Sequence, residues 1–149
     1  MWAALFSLTN LVAVAGWIVL VALPRAPLAR SFVMYGCVGL LCLTYAVLMA
    51  LMIAGAAGIA QGMDSYTIAG IRGLFSTDGG IVIGWTHYLA FDLFTGLWIA
   101  SDADNKGYSR LGQTPFLLVT FLVGPVGLVA WLLVRERRAR AAARDAGSR

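Results

Sequence analysis

Charged residues are scarce in this 149-residue sequence. Asp, Glu, Lys and Arg make up 12% of it, whereas they make up about 25% of an ordinary soluble domain. No charged side chain occurs in residues 1–24, 31–63 or 111–134, and 60% of all residues are hydrophobic. A soluble domain of this length could not cover its surface with so few charges. The composition therefore indicates an integral membrane protein.

Residue types that build metal centres and nucleophilic sites are also few. The chain has one His and two Cys. Cys37 and Cys42 lie in one apolar run, about 140° apart around a helix, and cannot form a disulfide with each other. The sequence contains no Gly-rich phosphate loop after a strand, no nucleophile elbow and no Walker motif. These absences argue against a nucleotide-dependent enzyme or a serine hydrolase.

The formal net charge of +4 does not indicate a nucleic-acid partner. Six of the eleven basic residues lie in the last fifteen positions, directly after the last apolar run. A location at a membrane surface, which is rich in anionic headgroups, explains this cluster. It serves either as a topology anchor or as a tail that binds a lipid or a protein partner.

Four apolar runs are long enough to cross a bilayer, because a spanning helix needs about 20 residues. Unpaired backbone groups are not tolerated in hydrocarbon, and the runs lack the alternation of barrel strands, so we predict helices. The predicted helices cover residues 2–23, 31–60, 79–101 and 114–134. Pro24 ends the first helix, and the Gly124-Pro125 pair should kink the fourth.

The longest connection, residues 61–78, carries apolar residues at helical spacing. They are Ile68, Ile71, Leu74 and Phe75, with Asp64 or Ser65 as the candidate N-cap. We therefore predict a short interfacial helix between helices two and three. The predicted fold class is all-α, an integral membrane four-helix bundle. Its single domain covers residues 1–135, and residues 136–149 form a basic cytoplasmic tail.

Four complete spans would place both termini on one side of the membrane. That side would carry seven Lys and Arg residues and the other side four, so the positive-inside rule places both termini in the cytoplasm. The first apolar run lacks the preceding basic region of a secretory signal, and we interpret it as a retained helix. Ten Arg against one Lys is typical of GC-rich coding. The expected location is a bacterial cytoplasmic membrane.

Two ionisable residues, His87 and Asp92, lie inside the third predicted helix. A carboxylate near the centre of a span costs about 2.5–3.5 kcal/mol, so it should face protein or a wet cavity. The two Cα atoms are offset by about 7.5 Å along the helix and about 140° around it. Their side chains could still converge on a bound molecule as acid and base. The alternative is a buried hydrogen-bonded pair, or one tied to Asn10, Thr44 or Tyr45 on neighbouring helices.

Aromatic residues flank both candidates, with Trp85 on the Asp92 side and Phe91, Phe94 and Trp98 on the His87 side. In the interfacial stretch, Arg72 either holds a hydroxyl or headgroup or simply snorkels to phosphate. The candidate substrate-binding residues are therefore Asn10, Arg72, Trp85, Phe91 and Trp98. Together they suit a long apolar substrate with a polar end. A weaker alternative is a metal site of His87, Asp92, Asp102 and Asp104, although their spacing is not that of zinc ligands.

Three segments resemble the abscisic-acid-deficient-four-like membrane family. They are Gly-Ile-Arg-Gly-Leu-Phe-Ser at 70–76, Trp-Thr-His-Tyr-Leu-Ala-Phe-Asp-Leu-Phe at 85–94 and Gly-Pro-Val-Gly-Leu-Val at 124–129. The resemblance covers nearly the whole chain. Its plant members are plastid proteins required for making neoxanthin from violaxanthin. The resemblance implies carotenoid or related isoprenoid chemistry in the bilayer, and it matches His87 and Asp92 to the family's His and Asp.

The reaction implied by this resemblance is an intramolecular rearrangement. An epoxide opens, a proton leaves the adjacent chain carbon and an allene forms, which requires an acid and a base but no redox cofactor. Unlike the plant proteins, this chain starts at its first span without a transit peptide. A bacterial source would imply a different carotenoid or another lipid as the substrate.

Three functions remain open from the sequence. The first is a cofactor-independent carotenoid isomerase with His87 and Asp92 at its centre. The second is a non-catalytic carotenoid-binding or assembly protein. The third is a small proton or ion transporter subunit that uses Asp92 and would have to oligomerise. The expected partner is a membrane lipid or carotenoid, and further candidates are a second copy of the chain and carotenoid-pathway enzymes.

Overall fold

The computed structural model describes residues 1–55 and 67–147, with side chains to residue 136. All regular structure in these ranges is helical, which confirms the predicted all-α class. The helices are α1 (Trp2–Ala22), α2 (Pro27–Ile53), α3 (Ile68–Leu74), α4 (Asp78–Asn105), α5 (Arg110–Val123) and α6 (Pro125–Gly147). α2 includes a π-helical segment, Phe32–Val38. α6 continues beyond residue 135, across the predicted boundary between domain and tail.

Within the described residues, α1 and α2 are long and apolar enough to cross a membrane by length and composition. α2 begins four residues earlier than predicted, because Pro27 occupies its first turn, where the missing N–H costs no hydrogen bond. The α1–α2 connection is stabilised by Arg30, whose Nε donates to the carbonyl oxygen of Pro24 at 2.6 Å.

The short helix predicted between the second and third spans is present as α3. Its N-cap is Thr67, whose hydroxyl accepts a hydrogen bond from the Gly70 N–H at 3.2 Å. Asp64 and Ser65, the capping candidates from the sequence, lie outside the described residues. Thr77 caps α4 in the same way, accepting from the Gly80 N–H at 3.1 Å. The location of α3 at a membrane surface stays a prediction.

The predicted fourth helix is not one helix. The rings of Phe116 and Trp131 lie 5.3 Å apart, whereas fifteen residues of continuous helix would separate them by about 22 Å. Tyr108, just before α5, contacts the Trp131 ring at 4.9 Å and donates to the Val134 carbonyl at 3.3 Å. α5 and α6 therefore form an antiparallel hairpin, and the expected kink is a full reversal of direction.

Gly124 is the residue at which the chain reverses. Its φ of +45° is uncommon for any residue other than glycine, and Pro125 then begins α6 with a fixed φ. The two arms touch beside the turn, since a Cβ on Gly127 would lie 2.4 Å from the backbone nitrogen of Thr120. In the sequence, the Gly-Pro pair indicated where the helix is interrupted. A proline alone does not specify the angle between the two resulting helices.

The hairpin places the two termini at opposite ends of the bundle. Trp2 lies beside Asp78 and Ile81 at the start of α4. Arg135 pairs with Asp102 near the end of α4, with its Nε 2.8 Å from Oδ2. The orientation in a membrane stays a prediction, but this arrangement does not support the prediction that both termini lie on one side, and hence both in the cytoplasm. That prediction assumed a fourth complete crossing, whereas the hairpin enters and leaves the bundle at the same end.

α4 is the central helix and packs against α1, α2 and the hairpin. Its residues Leu93, Ile99, Ala100 and Ala103 are completely buried. Gly96 allows close approach of α1, because a Cβ there would lie 2.4 Å from the Trp17 ring. The side chains projecting from α4 are therefore distributed among three separate neighbours, and this distribution determines which candidate site residues can meet.

Candidate functional site

Asp92 lies near the middle of α4 and faces the turn of the hairpin. A Cβ on Gly124 would lie 2.8 Å from Asp92 Oδ1 and 3.0 Å from Oδ2, so the carboxylate occupies the space beside the glycine. Oδ2 is buried and has no hydrogen-bond partner among the described residues. A buried polar atom without a partner costs free energy, and such atoms are often found where a ligand or water binds.

Tyr88 lies one turn before Asp92 on α4, and its hydroxyl interacts with the Asp92 carboxylate. The Tyr88 ring lies 5.2 Å from that of Trp85, whose indole N–H donates to Asn10 Oδ1 at 3.1 Å. Asn10, Trp85, Tyr88 and Asp92 form a row between α1 and α4 that we call the polar cluster. Sequence reasoning named every member except Tyr88, which its i, i+4 spacing from Asp92 could have revealed.

His87 is directed away from the polar cluster. Its ring lies 4.7 Å from that of Phe91 and 5.2 Å from that of Tyr45 on α2. Asp92 faces the hairpin, so the structure does not bring the two predicted catalytic side chains together. The separation of about 140° around α4 that their spacing specifies accounts for this. Their catalytic roles stay predictions.

The remaining candidate residues are dispersed. Phe91 belongs to the His87 side. Trp98 lies under the guanidinium of Arg135, with 5.6 Å between the Arg Cζ and the ring centroid. Arg72 is exposed on α3, at the opposite end of the bundle from Trp98. Only Asn10 and Trp85 are joined to Asp92 through the polar cluster.

Asp102 and Asp104 are engaged by arginines at one end of the bundle, which we call the ion-pair end. Asp102 binds Arg135 and accepts from the Trp131 indole N–H at 2.9 Å. Asp104 pairs with Arg25 at 2.7 Å and Arg30 at 3.0 Å. These carboxylates are salt-bridged near the end of α4, where acidic groups oppose the helix dipole unless they are paired.

The weaker metal alternative is not assembled in the structure. Asp102 is ten residues beyond Asp92, about 15 Å along α4, and His87 lies on a different face. Among the described residues, no group of three or more His, Cys, Asp or Glu side chains could hold a metal ion.

Two apolar cavities flank α4. The larger, of about 440 Å³, lies between α1 and α5, and we call it the α1 furrow. Its lining residues are Val14, Trp17, Ile18, Val21, Ala22, Leu118 and Phe121. The smaller, of about 290 Å³, lies between α2 and α4 on the His87 side. It is lined by Met34, Val38, Cys42, Ala90, Phe91 and Phe94. The smaller cavity is next to His87 through Phe91, whereas every lining residue of the α1 furrow belongs to α1 or α5.

One of three comparisons with known proteins gave a match. A family model described as ABA DEFICIENT 4-like matches residues 4–131, which include the polar cluster, His87 and the hairpin turn. Neither the curated proteins nor the solved structures gave a match to the chain. Since the model covers well over half of the sequence, the chain belongs to the ABA DEFICIENT 4-like family, which is related to carotenoid and neoxanthin biosynthesis.

Proposed function

We propose that this protein is a membrane-embedded enzyme that isomerises a carotenoid-like isoprenoid lipid by acid/base catalysis without a redox cofactor. The observation that carries the proposal is the environment of Asp92. One of its carboxylate oxygens is buried at the turn of a hairpin and has no hydrogen-bond partner among the described residues. Family membership supports the substrate class.

The proposed architecture has three spanning helices, α1, α2 and α4, and one re-entrant hairpin. α4 has 28 residues and would be about 42 Å long, sufficient to cross with its polar ends outside the hydrocarbon. Asp92 then lies near the centre of the bilayer. Non-helical backbone such as that at Gly124 is tolerated at this depth only where protein covers it, and Gly124 is buried against Asp92.

The proposed orientation follows from where the basic residues lie. Ten of the eleven Lys and Arg residues, all except Arg72, belong to segments at the ion-pair end. These segments are the α1–α2 connection, the α4–α5 connection and the tail. The positive-inside rule places that end in the cytoplasm and the N-terminus on the other side. The membrane is proposed to be a bacterial cytoplasmic membrane.

The proposed chemistry moves one proton onto oxygen and removes one from carbon. As an epoxide C–O bond opens, its oxygen gains a proton, while the adjacent chain carbon loses one and its C–H electrons form the new double bond. The substrate and product have the same composition. Asp92 exchanges one of these protons directly with the substrate. His87 faces a different cavity, beside Phe91, and does not reach the same end group as Asp92.

The proposal is tested in hosts that accumulate linear, cyclic or epoxidised carotenoids, with pigments separated by chromatography. We expect a new isomer in one of these hosts, and loss of that isomer with Asp92→Asn. The matched control is Asp78→Asn, an exposed carboxylate on the same helix. Isomer formation by His87→Gln shows separately whether the imidazole takes part in the reaction. Conversion by the Asp92→Asn variant at the unsubstituted rate would contradict the proposal.

The second candidate function is a carotenoid-binding or assembly protein, which the purely apolar lining of the α1 furrow favours. In that function the polar cluster would only orient the pigment. Pigment that purifies with the protein while no host shows a new isomer would support this candidate. Proton or ion flux into liposomes that disappears with Asp92→Asn would instead indicate a transporter subunit.

A further inference from the structure

The walls of the α1 furrow are connected to Asp92 through two short segments of helix. Phe121, on its α5 wall, precedes Gly124 by three residues, and Gly124 contacts the Asp92 carboxylate. Trp17, on its α1 wall, packs against Gly96, four residues after Asp92 on α4. One helical turn corresponds to about 5.4 Å along an axis. The walls of the furrow formed by Phe121 and Trp17 are therefore close to the part of α4 that carries Asp92.

The α1 wall of the furrow and Asn10 of the polar cluster lie on one face of α1. Asn10, Val14 and Val21 recur at the spacing of a single helical face. α1 and α4 run in the same direction, since Asn10 contacts Trp85 and a Cβ on Gly16 would lie 2.6 Å from Leu93. The segment of α1 between Asn10 and Gly16 thus lies alongside the part of α4 that carries Tyr88 and Asp92.

The walls of the furrow contain two aromatic rings on opposite helices. The centroids of Trp17 and Phe121 are 5.5 Å apart, with 60° between the ring planes. The other lining residues are aliphatic, and the volume of about 440 Å³ lies in the range of small-molecule sites. Flat aromatic faces pack well against a flat conjugated chain. A flexible acyl chain would lose more conformational entropy on being held between them.

We propose that the α1 furrow binds the polyene chain of the substrate, with the oxygen-bearing end group held at the polar cluster. This inference rests on the proposed function, because it assigns the location of that substrate. The chain extends from Val14 toward Ala22 and the ion-pair end. Asn10 and Asp92 are then the polar side chains closest to the end group.

The test uses photo-crosslinking in nanodiscs of phosphatidylethanolamine and phosphatidylglycerol that contain violaxanthin. A benzophenone amino acid replaces Ile18 in the furrow or, as a control, Leu43 on α2. The two side chains are 63% and 61% exposed, so the probes meet the lipid equally. We expect at least tenfold more carotenoid adduct, measured by mass spectrometry, at position 18. Equal capture at both positions, or phospholipid adducts alone, would overturn the inference.

A second measurement separates this inference from the proposed function. In the producing host, Ile18→Trp should reduce the yield of isomer at least tenfold, whereas Leu43→Trp should leave it unchanged. If Ile18→Trp retains full conversion and no adduct forms, the furrow is not the binding site and the enzyme proposal is unaffected. If the adduct forms at position 18 but no host shows an isomer, the furrow binds a polyene and the isomerase proposal fails.

Discussion

The carboxylate of Asp92 fills the space beside Gly124 that any larger residue at that position would need. The contact joins the middle of α4 to the turn of the hairpin, two segments about thirty residues apart in the sequence. Gly124 therefore meets two requirements: a positive φ for the reversal and an open side for the carboxylate.

The first prediction concerns the contact between Gly124 and Asp92. Gly124→Ala adds a Cβ in a strained backbone conformation, which costs about 1–3 kcal/mol, and also crowds the carboxylate. Gly107→Ala is the matched control, since Gly107 has a φ of +68° and nothing within 4 Å of its hypothetical Cβ. We expect a larger loss of thermal stability in detergent for Gly124→Ala. Equal losses of thermal stability would show that crowding of the Asp92 carboxylate does not contribute to the effect of Gly124→Ala.

A double substitution isolates the crowding further. In an Asp92→Ala background, the space beside Gly124 opens, and Gly124→Ala should then destabilise the protein less than it does when Asp92 is present, with the backbone strain remaining. Residues in direct contact commonly show interaction energies of about 0.5–3 kcal/mol in such cycles. Additive effects of the two substitutions would contradict the contact.

The helices and their apolar character could largely be predicted from the sequence, because long uncharged runs and capping residues are local signals. The reversal at Gly124 could not, since the angle between α5 and α6 depends on packing with α4. In the candidate site, too, local features could be predicted from the sequence and tertiary contacts could not. Spacing on one helix correctly separates His87 from Asp92, whereas the approach of the hairpin turn to Asp92 is a tertiary contact.

The second prediction concerns the ion-pair end. Arg135→Gln should destabilise the base of the hairpin, because it leaves the carboxylate of Asp102, which is 15% exposed, without its charged partner. Loss of one partner from a fully buried pair costs about 3–5 kcal/mol, and partial exposure should reduce this to about 1–3 kcal/mol. The unfolding temperature in detergent reports the change.

Glu136→Gln is the control for the ion-pair end. Glu136 is 55% exposed, and its carboxylate lies 3.8 Å from Arg135 Nη1. An exposed pair contributes only about 0–1 kcal/mol, so this substitution should leave the unfolding temperature nearly unchanged. If the two variants behaved alike, the Arg135–Asp102 pair would not stabilise the hairpin.

The third prediction concerns orientation. In a variant lacking Cys37 and Cys42, Ser76→Cys lies near the start of α4 and Asn105→Cys at the ion-pair end, both at exposed positions. A membrane-impermeant maleimide should label position 76 in intact cells and position 105 only after permeabilisation, because the basic segments are proposed to face the cytoplasm. The opposite pattern would reverse the proposed orientation, and labelling of both in intact cells would contradict three spans.

The fourth prediction concerns Tyr88. Its interaction with Asp92 should hold the carboxylate in position, so Tyr88→Phe should lower product formation while the protein remains folded and inserted. A positioned proton-transfer group contributes about 10²–10⁴-fold to rate, and loss of one supporting hydrogen bond should cost about tenfold. Tyr35→Phe, at a position that is 80% exposed, is the control. Unchanged conversion by Tyr88→Phe would remove Tyr88 from the site.

Product formation by the Asp92→Asn variant tests most directly whether a carboxylate buried at the hairpin turn performs proton transfer. Because Asn has nearly the same shape but cannot exchange the proton, the rate of isomer formation should fall by about 10²–10⁴-fold, with membrane insertion and unfolding temperature retained. An Asp92→Asn protein that forms the isomer as fast as the unsubstituted chain would contradict the central claim.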